Sequence, residues 1–214
     1  MTTVGLVLYP RFTALDIVGP FQALVDVPGL DVFFVAEDVG PVVDHTGLLT
    51  MHATRRFDEI KSLDVLVVPG GFADVNLTVD DPVVRFVRRI HPTTVWTTSV
   101  CTGSVFLATA GVLDGLEATS HWSAYARIEA LGATPSPARV VRSGKVITAA
   151  GVSSGIDMGL RLVAELAGDE MAKAVQLAIE YDPQPPFDCG SPSKASPEHF
   201  GLIARMFEPR LAQG

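Results

Sequence analysis

Short apolar runs alternate with stretches of helical periodicity along most of the chain. Residues 4–9 (VGLVLY) are almost continuously apolar, as expected of a parallel strand buried on both faces. Over 16–25, Ile17, Phe21, Leu24 and Val25 fall on one helical face. Further strands are predicted at 31–36 (DVFFVA), 64–68 (DVLVV) and 94–100 (TVWTTSV), with room for a short antiparallel excursion within 39–57. Asp81-Pro82 reads as a helix cap with proline in the first turn, opening PVVRFVRRI. A helix over 103–110 stops near Gly111, a short strand is expected at 118–120, and a helix over 123–131 is closed by Gly132. Residues 139–142 and 145–149 flank Ser143-Gly144 as a hairpin. Ser153 or Ser154 caps a helix to 166, and Asp169 caps another to about 181. A Pro-, Gly- and Ser-rich stretch (183–197) and a short helix over 199–207 close the chain.

This alternation predicts an α/β fold: one domain with a mostly parallel sheet sandwiched by helices. The expected division is an α/β domain over 1–182. A Pro-rich arm with a short helix over 183–214 packs on that domain or on a partner subunit. In such folds the active site lies beyond the carboxyl ends of the strands. That rule selects residues 10–16, 70–72, 101–103 and 121.

Composition removes several classes of function. Across 214 residues, 48% are hydrophobic and 19% charged, which is incompatible with disorder over most of the length. Sixteen Lys and Arg against 24 Asp and Glu give a net charge of −8, unfavourable for nucleic acid or an anionic membrane surface. The first residues lack a basic region before their apolar run, so a secretory signal is not expected. Neither is a membrane span, and the two cysteines fit a reducing cytoplasm. The five histidines show no ligand spacing, so no metal is expected, and no phosphate-binding glycine motif suggests a nucleotide.

The chemistry concentrates at Cys101. It ends a strand and opens a helix, with the small residues Thr102, Gly103 and Ser104 after it. A sharp strand-to-helix turn pushes its side chain outward and tolerates only small neighbours. The helix N-terminus is expected to lower the thiol pKa. The competing reading is a small core hydrophobe, the usual fate of a free cysteine. Asp16, just beyond the first strand, is the preferred proton-exchanging partner, although Asp at a helix start is most often a cap. His121 ranks below it. Backbone N–H groups of Thr102 and of the Gly70-Gly71 turn could hold a developing anion. Cys189 lies in the Pro-rich arm with no local activating feature and is read as structural.

These residues resemble the ThiJ/PfpI superfamily, a branch of the class I glutamine-amidotransferase-like fold. The landmarks are LYPRFTALDIVGPFQAL (8–24), VLVVPGGF (65–72), SVCTGSVFLATAGVLDG (99–115), ATSHW (118–122) and AAGVSSGIDMGL (149–160). The Cys-Thr-Gly elbow, the D-x-x-G-P segment and the arm YDPQPPFDCGSP (181–192) are most similar to the branch that hydrates isocyanides, R–NC, to N-formamides. The resemblance implies a cofactor-free homodimer acting on a small neutral isocyanide and water. Cys101 is then the nucleophile and Asp16 the acid/base group. Thr102 and Gly71 supply backbone donors, and the Thr102 hydroxyl stands near the Cys101–Asp16 pair. Other branches imply glyoxalase-like or amidohydrolase-like activity, a redox sensor, or an effector domain of AraC-type regulators, for whose helix-turn-helix region 214 residues are expected to leave no room. Relatives with hydrolytic or glyoxalase-type activity commonly carry His after the Cys, or Glu in the first helix region. Here Thr102 and Asp16 stand in those places.

Overall fold

The computed structural model describes residues 1–72 and 77–211. The apolar runs form β1 (Thr2–Val7), β2 (Leu30–Ala36), β6 (Val65–Val68) and β7 (Trp96–Val100). With β5 (Arg55–Arg56), β10 (Val140–Ser143) and β11 (Val146–Ala149) they make a seven-stranded sheet of order β10-β11-β7-β6-β1-β2-β5. The β10–β11 pair is antiparallel and the other pairs are parallel. Every residue of β6 and β7 is buried, which explains the unbroken apolar run of β6 and requires partners for buried hydroxyls of β7. Thr98 Oγ1, for example, donates to the Leu66 carbonyl across the sheet at 2.9 Å.

The excursion within 39–57 is a hairpin of β3 (Gly40–Val43) and β4 (Thr50–Ala53). A second small sheet pairs β8 (Glu117–Ala118) with β9 (Thr134–Pro135). The helices are α1 (Ala14–Leu24), α2 (Pro82–Ile90), α3 (Gly103–Thr109), α4 (Tyr125–Ala130), α5 (Ser154–Ala167), α6 (Asp169–Ala178) and α7 (Pro197–Leu211). Asp81 caps α2 by accepting from the Val83 N–H at 2.8 Å, with Pro82 in the first turn.

Several local expectations shift. The 123–131 helix is a 3-10 turn over Trp122–Ala124 followed by the shorter α4. Gly168, not Asp169, occupies the cap position of α6. Neither Ser153 nor Ser154 caps α5: Ser153 makes no side-chain cap bond, and the Ser154 hydroxyl is buried without a partner. The last helix begins at Pro197 and runs to Leu211. Proline fits a first helical turn because its missing N–H has no intrahelical role there.

The chain runs from β1 outward to β2, then returns to place β6 and β7 on the other side of β1. The strand order reverses between β1 and β6, opening a crevice at the carboxyl ends of the strands. Asp16, Gly70 and Cys101 follow β1, β6 and β7 respectively, so three distant stretches converge there.

Candidate active site

Cys101 sits at the turn between β7 and α3 with φ of 58°, a left-handed conformation costly for a side chain with a Cβ. Neighbouring groups hold it there. Its N–H donates to the Ala150 carbonyl at 2.8 Å, while its own carbonyl accepts from Ser120 Oγ at 3.1 Å and Ser104 Oγ at 3.2 Å. Backbone strain of this kind persists only where the surroundings over-determine it. The following glycine is a packing requirement. A Cβ on Gly103 would lie 2.2 Å from the Val68 carbonyl oxygen.

Asp16 is fully buried, its Oδ2 accepting from the Gly70 N–H at 2.9 Å. Burial pushes its carboxyl up to about 7, against the lowering effects of the Gly70 N–H and the Cys101 thiol. Carboxyl and thiol are therefore in direct contact although far apart in sequence. Oδ1 has no further partner. Asp16 reaches this position because α1 packs closely on α5. There Gly19 lies against Ile156, and Gly155 and Gly159 face Pro20 and Ala23, which accounts for the glycine in the D-x-x-G-P segment.

The expected low thiol pKa is corrected. Burial first, and the Asp16 carboxylate second, push the Cys101 thiol well above its ordinary value. N–H groups of Val152 and Thr102 donate to the sulfur and pull in the other direction without prevailing. A seven-residue helix contributes too little at its N-terminus to offset desolvation and an adjacent carboxylate. At neutral pH the resting pair is a thiol beside a half-ionised carboxyl.

The Gly70-Gly71 turn also differs from expectation. The Gly70 N–H is engaged by Asp16, and the Gly71 N–H donates to Thr102 Oγ1 at 3.1 Å. The Thr102 hydroxyl in turn donates to the Gly71 carbonyl at 3.2 Å. The two glycines thus position the carboxyl and the hydroxyl, rather than presenting free donors to an anion. Gly70 must lack a side chain, since a Cβ there would stand 2.5 Å from the Thr102 nitrogen and 2.8 Å from Asp16 Oδ2. Val152 is the donor that sequence reasoning missed. It lies in the AAGVSSG landmark, but only the fold brings its N–H to the sulfur.

The thiol opens onto a cavity of about 950 Å³. Thr102, Gly71 and His121 line it with Cys101, and Phe72 and Trp122 add aromatic walls. Burial lowers the His121 pKa, so the ring is neutral at pH 7. Its Nδ1 lies 2.7 Å from Ser123 Oγ and accepts from the Ser123 N–H, which assigns the ring proton to Nε2. Helix α7 covers the cavity. Phe200 meets Trp122 edge-on at 5.2 Å, and Phe207 meets Phe72 at 5.6 Å. Among the described residues, no three His, Cys, Asp or Glu side chains are grouped to hold a metal.

With the site described, comparison with known proteins places it in context. The DJ-1/PfpI family matches residues 2–165. The chain belongs to the DJ-1/PfpI family. Among curated DJ-1/PfpI relatives, it is 42% identical to the isonitrile hydratase of Pseudomonas putida over 90% of this chain and 84% of that protein. A ThiJ/PfpI family protein from Pseudomonas syringae superposes with a TM-score of 0.87 and 37% identity, covering 99% of this chain and 89% of that one. The HTH-type transcriptional regulator CdhR of Pseudomonas aeruginosa is 32% identical over 69% of this chain, which spans 43% of the regulator. DJ-1/PfpI membership agrees with the mostly parallel seven-stranded sheet between helices. No helix among the described residues is long and apolar enough to cross a membrane.

Proposed function

We propose that this protein is an isonitrile hydratase, adding water to R–NC through a covalent intermediate on Cys101. The observation that carries the reading is the buried Cys101–Asp16 contact, in which burial holds the carboxyl near 7 and the thiol neutral. Likeness over most of the chain to the Pseudomonas putida enzyme supports the same reading. Isocyanide hydration needs both a proton and a nucleophile at one carbon, and the active form of this pair supplies both from one shared proton.

In that form the thiol proton passes to the Asp16 carboxylate. Asp16 delivers it to the terminal carbon of R–NC as sulfur bonds to the same carbon, giving the thioimidate R–N=CH–S–Cys101. Asp16, again a carboxylate, takes a proton from water as hydroxide adds to that carbon. It passes the proton to nitrogen, forming R–NH–CH(OH)–S–Cys101. The C–S bond then breaks, the hydroxyl proton returns to sulfur through Asp16, and R–NHCHO leaves. Water is consumed and no electrons are exchanged, so the cycle is complete without a cofactor. The N–H groups of Val152 and Thr102 stabilise the departing sulfur. Thr102 and neutral His121 line the substrate side, where the formamide oxygen forms.

The raised thiol pKa favours the shared-proton cycle, in which Asp16 takes the thiol proton, over a redox sensor that rests as a free thiolate. Likeness to the DJ-1/PfpI relatives is the support for a homodimer, and two unpaired cysteines support a cytoplasmic setting. An aryl isocyanide assay tests the function, with methylglyoxal and small amides as controls for other thiol chemistries of the fold. Cys101→Ala is expected to reduce turnover by at least about 10³-fold. Mass spectrometry of trapped wild-type enzyme is expected to show an adduct on Cys101 heavier by the whole isocyanide. Wild-type turnover by the alanine variant would overturn the covalent mechanism.

A further inference from the structure

The cavity is far larger than the group that reacts. A terminal isocyanide contributes two atoms, whereas about 950 Å³ lies between the Cys101 elbow and α7. Volumes of that order accommodate a drug-sized ligand, so most of the space is available to R. Along α7, Phe200, Ile203 and Phe207 are half-buried while residues 201, 202, 204–206 and 208 are exposed. The three are apolar, share one face at helical spacing, and all line the cavity. Their contacts with Trp122 and Phe72 join them to the aromatic residues beside the thiol.

We propose that Phe200, Ile203 and Phe207 form the wall that binds a bulky, uncharged, apolar isocyanide substituent and select substrate by it. The proposal rests on the hydratase reading and adds its substrate class. Arg127, Arg205 and Glu208 also reach the cavity, with Arg205 and Glu208 exposed and of opposite sign. A carboxylated substituent is therefore the competing occupant.

The test compares kcat/KM of the full-length protein for methyl, 2-naphthyl and 4-carboxyphenyl isocyanide. Naphthyl is expected to exceed methyl by about 100-fold and to exceed carboxyphenyl. Ile203→Trp, which fills the wall, is expected to lower the naphthyl-to-methyl ratio by about 10-fold or more. Leu202→Ala, on the exposed side of the same helix and outside the cavity, should leave the ratio unchanged. The wall assignment is overturned by comparable naphthyl and methyl rates, by a faster carboxyphenyl substrate, or by an unchanged ratio in an Ile203→Trp protein that melts like wild type. If no isocyanide is turned over, the hydratase reading fails separately. Calorimetric binding of N-(2-naphthyl)formamide then decides the wall: tight in wild type and about 10-fold weaker in Ile203→Trp supports it, and no binding refutes it.

Discussion

The two sides of the cavity are held in opposite ways. On the Cys101 side, carbonyls, hydroxyls and a buried carboxyl crowd a backbone that has no room to adjust. On the α7 side, a half-exposed helix rests on ring contacts such as Phe200–Trp122 and Phe207–Phe72. Bond-making requires the reacting atoms within a fraction of an ångström, so the elbow is over-determined. Selecting an apolar substituent requires only shape and apolar surface, which a loosely seated helix supplies. Substitutions at the elbow should therefore damage rate and stability together, whereas those at the cover should change selectivity.

Asp16→Asn gives the largest expected effect. It keeps the shape and the acceptor for the Gly70 N–H but cannot shuttle a proton, so kcat/KM should fall about 10³-fold. Wild-type kcat/KM should rise with pH through about 7, as Asp16 loses the proton that blocks transfer from the thiol. Stability should move the other way. The unfolded chain releases the Asp16 proton near 3.8 and the folded chain near 7, so stability falls as pH climbs between them. The loss above pH 7 is on the order of 4 kcal/mol. Asp16→Asn should flatten this dependence and melt higher than wild type at pH 8, measured by thermal unfolding across pH 4–8. A parallel pH dependence in both proteins would show that Asp16 is not the perturbed group.

Gly70→Ala should come next. The new Cβ must displace Thr102 backbone and Asp16 Oδ2 together, so activity should fall about 100-fold, with roughly 2 kcal/mol of stability lost. Thr102→Val should be milder. It leaves the Gly71 N–H without its hydroxyl acceptor, costing about 1–3 kcal/mol of stability and roughly tenfold in rate. Thr102→Ser should restore both, read by kinetics and denaturant unfolding.

Much of this architecture is visible in the sequence because burial on both faces leaves a direct pattern. VLVV and WTTSV are strands, and small residues after Cys101 mark the turn. The position of Asp16 follows from the rule about strand ends. The thiol's elevated pKa is not visible, since it depends on desolvation and a carboxyl brought from 85 positions away. Nor is the role of Gly70 and Gly71, whose N–H groups are committed only once Asp16 and Thr102 arrive. Val152 contributes a backbone N–H, which no side-chain motif encodes. The start of α7 is missed, because Pro197 reads as part of the Pro-rich stretch although proline suits a first helical turn, and the face α7 turns to the cavity depends on where that stretch returns the chain.

The smallest expected effect concerns the other cysteine and sharpens the contrast most directly. Cys189 is half-buried in the arm, 3.5 Å from His199 Nδ1, whereas Cys101 is 6% exposed and held protonated by burial and by the Asp16 carboxylate. An aromatic disulfide reagent should therefore label Cys189 quickly and Cys101 slowly in the native protein, although Cys101 is the proposed nucleophile. Cys189→Ser should remove the fast phase and leave isocyanide turnover within about twofold, as expected for a near-isosteric change at a side chain that does not line the cavity. The slow thiol would be silenced by a saturating isocyanide that traps the thioimidate and fully exposed by denaturant. If Cys101 instead provides the fast phase, the elbow is open to bulky electrophiles, and α7 does not cover it as described.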